Sequence, residues 1–269
     1  MTVIIKTADL IESVADALQF ISYYHPMDYI RALGAAYEAE QSPAARDAIA
    51  QILTNSRMCA QGHRPICQDT GIANVFVKWG MDCRLDDTSQ SLQAVIDAGV
   101  RRAYTDPDNK LRASILADPA FTRRNTRDNT PCVLHVDMVP GSSVSIDVAA
   151  KGGGSEAKSK FKMMNPSDNI LDWVLEMIPQ MGAGWCPPGM LGIGIGGTAE
   201  HCVLLAKQAL MDPIDMSQLK ARGAQSDIEA LRIEIFDAVN ALDIGAQGLG
   251  GLATILDVKI ADWPCHAAN

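Results

Sequence analysis

The chain has 269 residues and a formal net charge of −9, with 48% hydrophobic and 20% charged residues. That length allows one domain or two and a substantial core. The acidic balance argues against nucleic acid or an anionic membrane surface as the main partner. No apolar run reaches the roughly 18 residues of a membrane span, and the start, with Asp9 and Glu12 among its apolar residues, lacks the pattern of a secretion signal.

From the N-terminus, Leu10, Val14, Leu18 and Ile21 recur at helical spacing and Pro26 ends the segment. Ser42 followed by Pro43 is an N-cap with proline at the first helical position, and it leads into Ile49, Ile52 and Leu53. The first sixty residues therefore read as helices. After RPICQDTG comes a strand-like run, IANVFVKW, then a helix around Leu92, Val95, Ile96 and Val100. Residues 106–131 are polar and proline-punctuated, with a basic cluster at Arg123, Arg124 and Arg127.

CVLHVDMV and SVSIDVAA follow as two strands about PGS, a hairpin signal. A helix is predicted from Ser167 to a stop at Pro179, another opens at Thr198, and Ser226 with Glu229 forms a capping box for a third. The loop GAQGLGG and the strand LATILDVKI come last. Strands and helices mix without strict βαβ alternation. The predicted class is α/β in the loose sense, mixed α+β: a helical region over about 1–62, then mixed β-sheets flanked by helices over about 63–269.

Three glycine-rich stretches invite functional readings. Gly192, Gly194 and Gly197 satisfy G-x-G-x-x-G, but WCPPG precedes them where a dinucleotide fold needs a central strand. The stretch reads better as a strand whose apolar residues Leu191, Ile193 and Ile195 alternate with Gly192, Gly194 and Gly196. Its bare face admits another backbone, a ligand or an inorganic cluster, with tight packing as the plain alternative. KGGGSEAKS resembles a phosphate-binding loop, but Ala157 replaces the expected glycine and Pro166 comes too soon for the long helix required. Its free backbone N–H groups suit a substrate carboxylate instead, with a flexible surface turn as the plain alternative. GAQGLGG reads as a helix stop.

Seven cysteines (59, 67, 83, 132, 186, 202 and 265) at irregular spacings read as reduced thiols of a cytoplasmic protein. Cys67 in PICQDTG and Cys186 in GWCPPG are rigidly presented by prolines, and Asp69 lies two residues from the first. Neither belongs to a C-x-x-C pair, which argues against a structural zinc site. Spacing leaves open a Cys186–His201 nucleophile pair, an iron–sulfur site shared by the two thiolates, and plain structural roles.

In order, PICQDTG, KGGGSE with its spaced lysines, GAGWCPPGMLGIGIGGTAE and GAQGLGGLATILDVKI closely resemble the N-terminal half of class I fumarate hydratase. These are oxygen-sensitive iron–sulfur hydro-lyases, and the family also includes the two-subunit tartrate dehydratases. The resemblance runs from about Leu10 to the last residue, and the GGGSE and IGGTAEH segments look more like the fumarase branch.

The resemblance implies a [4Fe–4S] cluster on three cysteines, with one iron open to substrate, and maps two ligands to Cys67 and Cys186. It implies that the bare glycine face makes room beside the cluster. It maps the acid/base carboxylate to Asp69, a substrate contact to Gln68, a carboxylate clamp to Arg112 in NKLRAS (with Arg123 or Arg124 competing), a backbone contact to Gly154, and a polar group near the site to His266. The family's third cysteine follows the P-x-H-A-A segment, so Cys265 in WPCHAAN is not that ligand.

The resemblance further implies a missing C-terminal domain or β-subunit, and a homodimer of complete chains. This polypeptide alone is then expected to be inactive and largely cluster-free. The implied reaction interconverts fumarate and malate. The alternatives are an α-subunit of an L-tartrate dehydratase-like enzyme and a non-catalytic assembly module.

Overall fold

A computed structural model describes residues 2–267. In chain order the elements are strand β1 (Val3–Ile5), helices α1 (Thr7–Tyr23), α2 (Met27–Ala39) and α3 (Pro43–Gly62), strands β2 (Ile72–Gly80) and β3 (Cys83–Leu85), and helix α4 (Leu92–Thr105). The short strands β4 (Leu116–Ala117) and β5 (Arg124–Asn125) precede β6 (Val133–Val139), β7 (Val144–Lys151) and the single turn α5 (Gly153–Glu156). Helix α6 (Ile170–Met181), strand β8 (Gly189–Gly196), helices α7 (Ala199–Ala209), α8 (Met216–Arg222) and α9 (Asp227–Asn240), and strand β9 (Ile255–Trp263) complete the order. This is the mixed α/β class expected. The chain divides into two compact units, each discontinuous in sequence: Met1–His25 with Asn55–Glu156, and Pro26–Thr54 with Ala157–Asn269.

The first unit is built on a three-stranded sheet of order β6-β2-β7, with β2 parallel to β6 and antiparallel to β7. Strand β2 is buried along nearly its whole length, which suits IANVFVKWG to the central position. Val75 sits opposite Leu134 on one side and Val148 on the other. Against this row pack Leu10, Val14 and Leu18 of α1 and Val95, Ile96 and Val100 of α4, the helical stripes legible in the sequence. The N-cap of α4 is Ser91, whose hydroxyl accepts from Ala94 N at 3.2 Å.

The hairpin expected about PGS does not form, because β2 lies between β6 and β7. The connection crosses the end of β2 instead: Gly80 N donates to Ser143 O and Met81 N to Val139 O, each at 2.9 Å. A local turn signal says nothing about which strand fills the gap.

The second unit holds the parallel pair β8–β9. Its core gathers Ile178 of α6, Leu191 of β8, Met216 and Leu219 of α8, Ile235 and Val239 of α9, and Ile255 and Val258 of β9. A satellite cluster joins Leu33 of α2 and Ala45 and Ile49 of α3 to Ala246, Ala253 and Leu256. Helix α6 is capped by Asn169, whose side chain accepts from Asp172 N at 3.2 Å, not by Ser167. Pro179 lies inside its last turn, before the 3₁₀ turn Gly182–Trp185. Ser226 caps α9 as expected, accepting from Glu229 N at 3.2 Å, while the Glu229 carboxylate accepts from Gln225 N and Arg222.

The bare face of β8 is filled by protein. A Cβ on Gly192 would lie 2.2 Å from Ala206 O, and one on Gly194 would lie 1.8 Å from Cys202 O. Both carbonyls belong to α7, so these glycines admit a helix backbone and not a cluster. The expectation that this face makes room for the inorganic centre is corrected accordingly. The dinucleotide reading fails on the same geometry, since Gly192 and Gly194 lie within the strand.

Candidate active site

In the first unit, the segment between α3 and β2 carries Cys67, Gln68 and Asp69. Cys67 and Gln68 are exposed, and Thr70, the next residue after Asp69, is buried. The backbone N–H of Asp69 points at Cys67 Sγ at 3.4 Å, and the thiol donates to Gln68 Oε1 at 3.5 Å. The Asp69 carboxylate is held at both oxygens: Gly71 N donates to Oδ1 at 3.0 Å and Gly153 N to Oδ2 at 2.6 Å. A Cβ on Gly152 would stand 2.8 Å from Oδ2. The triple glycine therefore lets a backbone turn close onto a carboxylate, but the carboxylate that its amide holds here is the protein's own Asp69 and not a substrate's. Gly154, the residue expected to contact substrate, is half-buried one position further along in the first turn of α5.

Arg112 is exposed, on the loop after α4. Its main chain is gripped twice by one side chain: Thr70 Oγ1 donates to Arg112 O at 2.5 Å and accepts from Arg112 N at 3.2 Å. Tyr104 OH donates to Thr70 O at 2.7 Å. Burial, with the Asp69 charge adding, pushes the Tyr104 phenol up to about 12, so it remains a donor at neutral pH. Asn129, fully buried, completes the frame. Its Nδ2 donates to Gly71 O at 3.0 Å, while its Oδ1 accepts from Ser114 N at 2.6 Å and Ile115 N at 3.3 Å. The competing Arg123 lies between β4 and β5 and donates to Pro119 O at 3.1 Å, and Arg124 lies in β5.

In the second unit, Cys186 is exposed between α6 and β8. Its backbone is left-handed, with φ 59° and ψ 58°, a conformation that costs a non-glycine residue roughly 1 kcal/mol or more and that concentrates at functional sites. Pro187 and Pro188 are buried behind it. The GAQGLGG loop does more than stop a helix: Gln247 donates to Pro187 O from its backbone N at 2.7 Å and from Nε2 at 2.9 Å. Burial, with the Cys186 charge adding, pushes the Tyr29 phenol up to about 12. Trp185, just before the cysteine, buries its indole Nε1 with no hydrogen-bond acceptor. His266 is exposed and, with His201, Thr198, Trp263 and Cys265, lines a pocket of about 380 Å³ beyond the C-terminal ends of β8 and β9.

Sequence reasoning missed the frame of Thr70, Tyr104 and Asn129, whose partners are distant backbone atoms that no local pattern announces. It also missed a charge quartet in the second unit, three members of which are buried and the fourth, Asp215, partly exposed. Asp257 is fully buried and Lys259 and Arg232 nearly so. Lys259 Nζ lies 2.6 Å from Asp215 and 3.2 Å from Asp257, and Arg232 pairs with both carboxylates and donates from Nε to Val258 O at 2.6 Å. The signal was present as LDVKI, an Asp and a Lys inside an apolar strand.

Among the described residues no group of three or more His, Cys, Asp or Glu side chains is arranged to hold a metal ion, and no helix is long and apolar enough to cross a membrane. In the first unit a carboxylate oriented by backbone donors lies two residues from an exposed thiol, and the second unit separately presents the exposed Cys186.

The family model described as "Fumarate hydratase (Fumerase)" matches residues 11–269. The "Putative L(+)-tartrate dehydratase subunit alpha" of Methanocaldococcus jannaschii is 34% identical over 264 residues, covering 95% of this chain and 89% of that protein. The L(+)-tartrate dehydratase subunit alpha of Escherichia coli strain UTI89 is 30% identical over 264 residues, covering 97% and 84%, and that of Shigella sonnei is 29% identical with the same coverage. The chain belongs to the fumarate hydratase (Fumerase) family of hydro-lyases, whose members here include tartrate dehydratase α subunits.

Proposed function

We propose that this chain is the iron–sulfur-binding part of a hydro-lyase that reversibly hydrates fumarate to (S)-malate, and that a second subunit completes the site. The observation that carries the reading is the Asp69 carboxylate, fixed by two backbone donors in the same hydrogen-bonded frame that anchors Arg112.

Dehydration of a 2-hydroxy dicarboxylate removes a proton from the carbon beside one carboxylate and hydroxide from the neighbouring carbon. Asp69 holds and returns the proton, and its oriented oxygens need no rearrangement to do so. The Arg112 guanidinium takes a substrate carboxylate through paired N–H donors. The Gln68 amide contacts the substrate from the adjoining position.

Cys67 and Cys186 are proposed as two of the ligands of the cluster. Their soft thiolates suit iron–sulfur chemistry, and free cysteines are more often buried than exposed. The orphaned Trp185 N–H beside Cys186 is in keeping with an acceptor supplied by a bound group. Such a cluster, when bound, supplies Lewis acidity toward the leaving hydroxyl.

A second reading, dehydration of L(+)-tartrate, is favoured by the names of the relatives. The test is a substrate panel on the anaerobically assembled complex of this chain with its second subunit. The fumarate reading expects turnover of malate above that of L(+)-tartrate, the second reading the reverse, and activity on neither rejects both.

A further inference from the structure

We infer that Thr70, buttressed by Tyr104, is the positioning residue that sets the Arg112 clamp relative to the Asp69 carboxylate. Thr70 follows Asp69 directly and is 7% exposed. Its hydroxyl both donates to Arg112 O at 2.5 Å and accepts from Arg112 N at 3.2 Å. A single side chain thereby replaces the pair of main-chain bonds that a β-bridge would supply, and the loop carrying Arg112 has no strand partner there. Tyr104 OH closes the chain of bonds by donating to Thr70 O at 2.7 Å.

The Arg112 main chain is thus tied directly to the residue that follows Asp69, while its side chain is exposed. A shift at Thr70 therefore moves the carboxylate clamp and the proton-handling group relative to each other. The inference rests on the proposed dehydratase reading.

The test uses the anaerobically assembled complex, with kcat and KM for the preferred dicarboxylate and thermal unfolding for each variant. Thr70→Val removes the hydroxyl at nearly constant shape; misplacement of the clamp is expected to lower kcat/KM by about 10- to 100-fold, mainly through KM. Thr70→Ser, which keeps the hydroxyl, is expected to restore KM. A purely structural defect lowers the fraction of active enzyme and leaves KM alone. A folded Thr70→Val complex with wild-type kcat and KM overturns the inference.

If Thr70→Val does not fold, Tyr104→Phe carries the test: KM rises in the same direction by a smaller factor, and an unchanged KM overturns it. Asp69→Asn and Arg112→Ala are the reference variants. Wild-type activity in both defeats the dehydratase reading itself, whereas loss in both with no effect at Thr70 defeats only the positioning role.

Discussion

At the scale of single residues, the charged groups divide into those of the proposed site and those that hold the fold. Asp215 belongs to the second kind. Burial pushes its carboxyl up, but the hydrogen bonds and charges of Arg232 and Lys259 outweigh that, and the group is held below the ordinary 3.8. A carboxyl whose folded value is depressed adds stability that is fully present above the unfolded value and is lost as the pH falls through the folded one. Thermal unfolding should therefore show a midpoint that drops as the pH is lowered below the ordinary carboxylate range, and Asp215→Asn should flatten that drop. An equally steep acid limb in the variant would contradict the assignment.

Arg232 is a sterner case. Its removal leaves the fully buried Asp257 without one of its two cationic partners, and losing one partner of a buried pair costs about 3–5 kcal/mol. Urea denaturation of Arg232→Ala should show that loss, and a change within the ordinary surface range would refute it.

At the scale of elements, the glycines of β8 decide how α7 seats. The helix carbonyls of Cys202 and Ala206 occupy the space where side chains would stand, so Gly194→Ala forces strand and helix apart. Overpacking of this kind costs typically about 1–3 kcal/mol, measurable as a lower denaturation midpoint. Wild-type stability in Gly194→Ala would mean that the contact is not as close as described.

Element existence was legible wherever the apolar period was clean. The stripe Leu10, Val14, Leu18 became the buried face of α1, and IANVFVKW became β2. Ser226 was legible as a cap because its partner lies three residues away. Pairing was not legible. PGS promised a hairpin, but the central place between β6 and β7 went to β2, more than fifty residues upstream, because β2 is the run able to be buried on both sides. For the same reason the face of β8 could be read as bare, while the identity of what covers it depended on α7.

At the scale of the whole molecule, the two units each carry part of the expected machinery. Cys67, Gln68, Asp69, Arg112 and Gly154 belong to the first, and Cys186 and His266 to the second. The exposed thiols and Asp69 stood out in short local motifs, while the resemblance alone pointed to Gln68, Arg112, Gly154 and His266. The frame around Asp69 and Arg112 was hidden, since its bonds span 14 residues (Ile115 to Asn129), 34 (Tyr104 to Thr70), 42 (Thr70 to Arg112) and 58 (Asn129 to Gly71). Family membership, matched over residues 11–269, supplies the reaction class, and the backbone donors to Asp69 are what support its proposed acid/base role.

The account is tested most directly by dehydration kinetics of the anaerobically assembled complex, comparing wild type with Asp69→Asn on malate and on L(+)-tartrate. Loss of a positioned acid/base group predicts a fall in kcat of about 10²- to 10⁴-fold, on whichever substrate the wild type turns over and with unfolding unchanged. A folded Asp69→Asn complex that dehydrates as fast as wild type would contradict it.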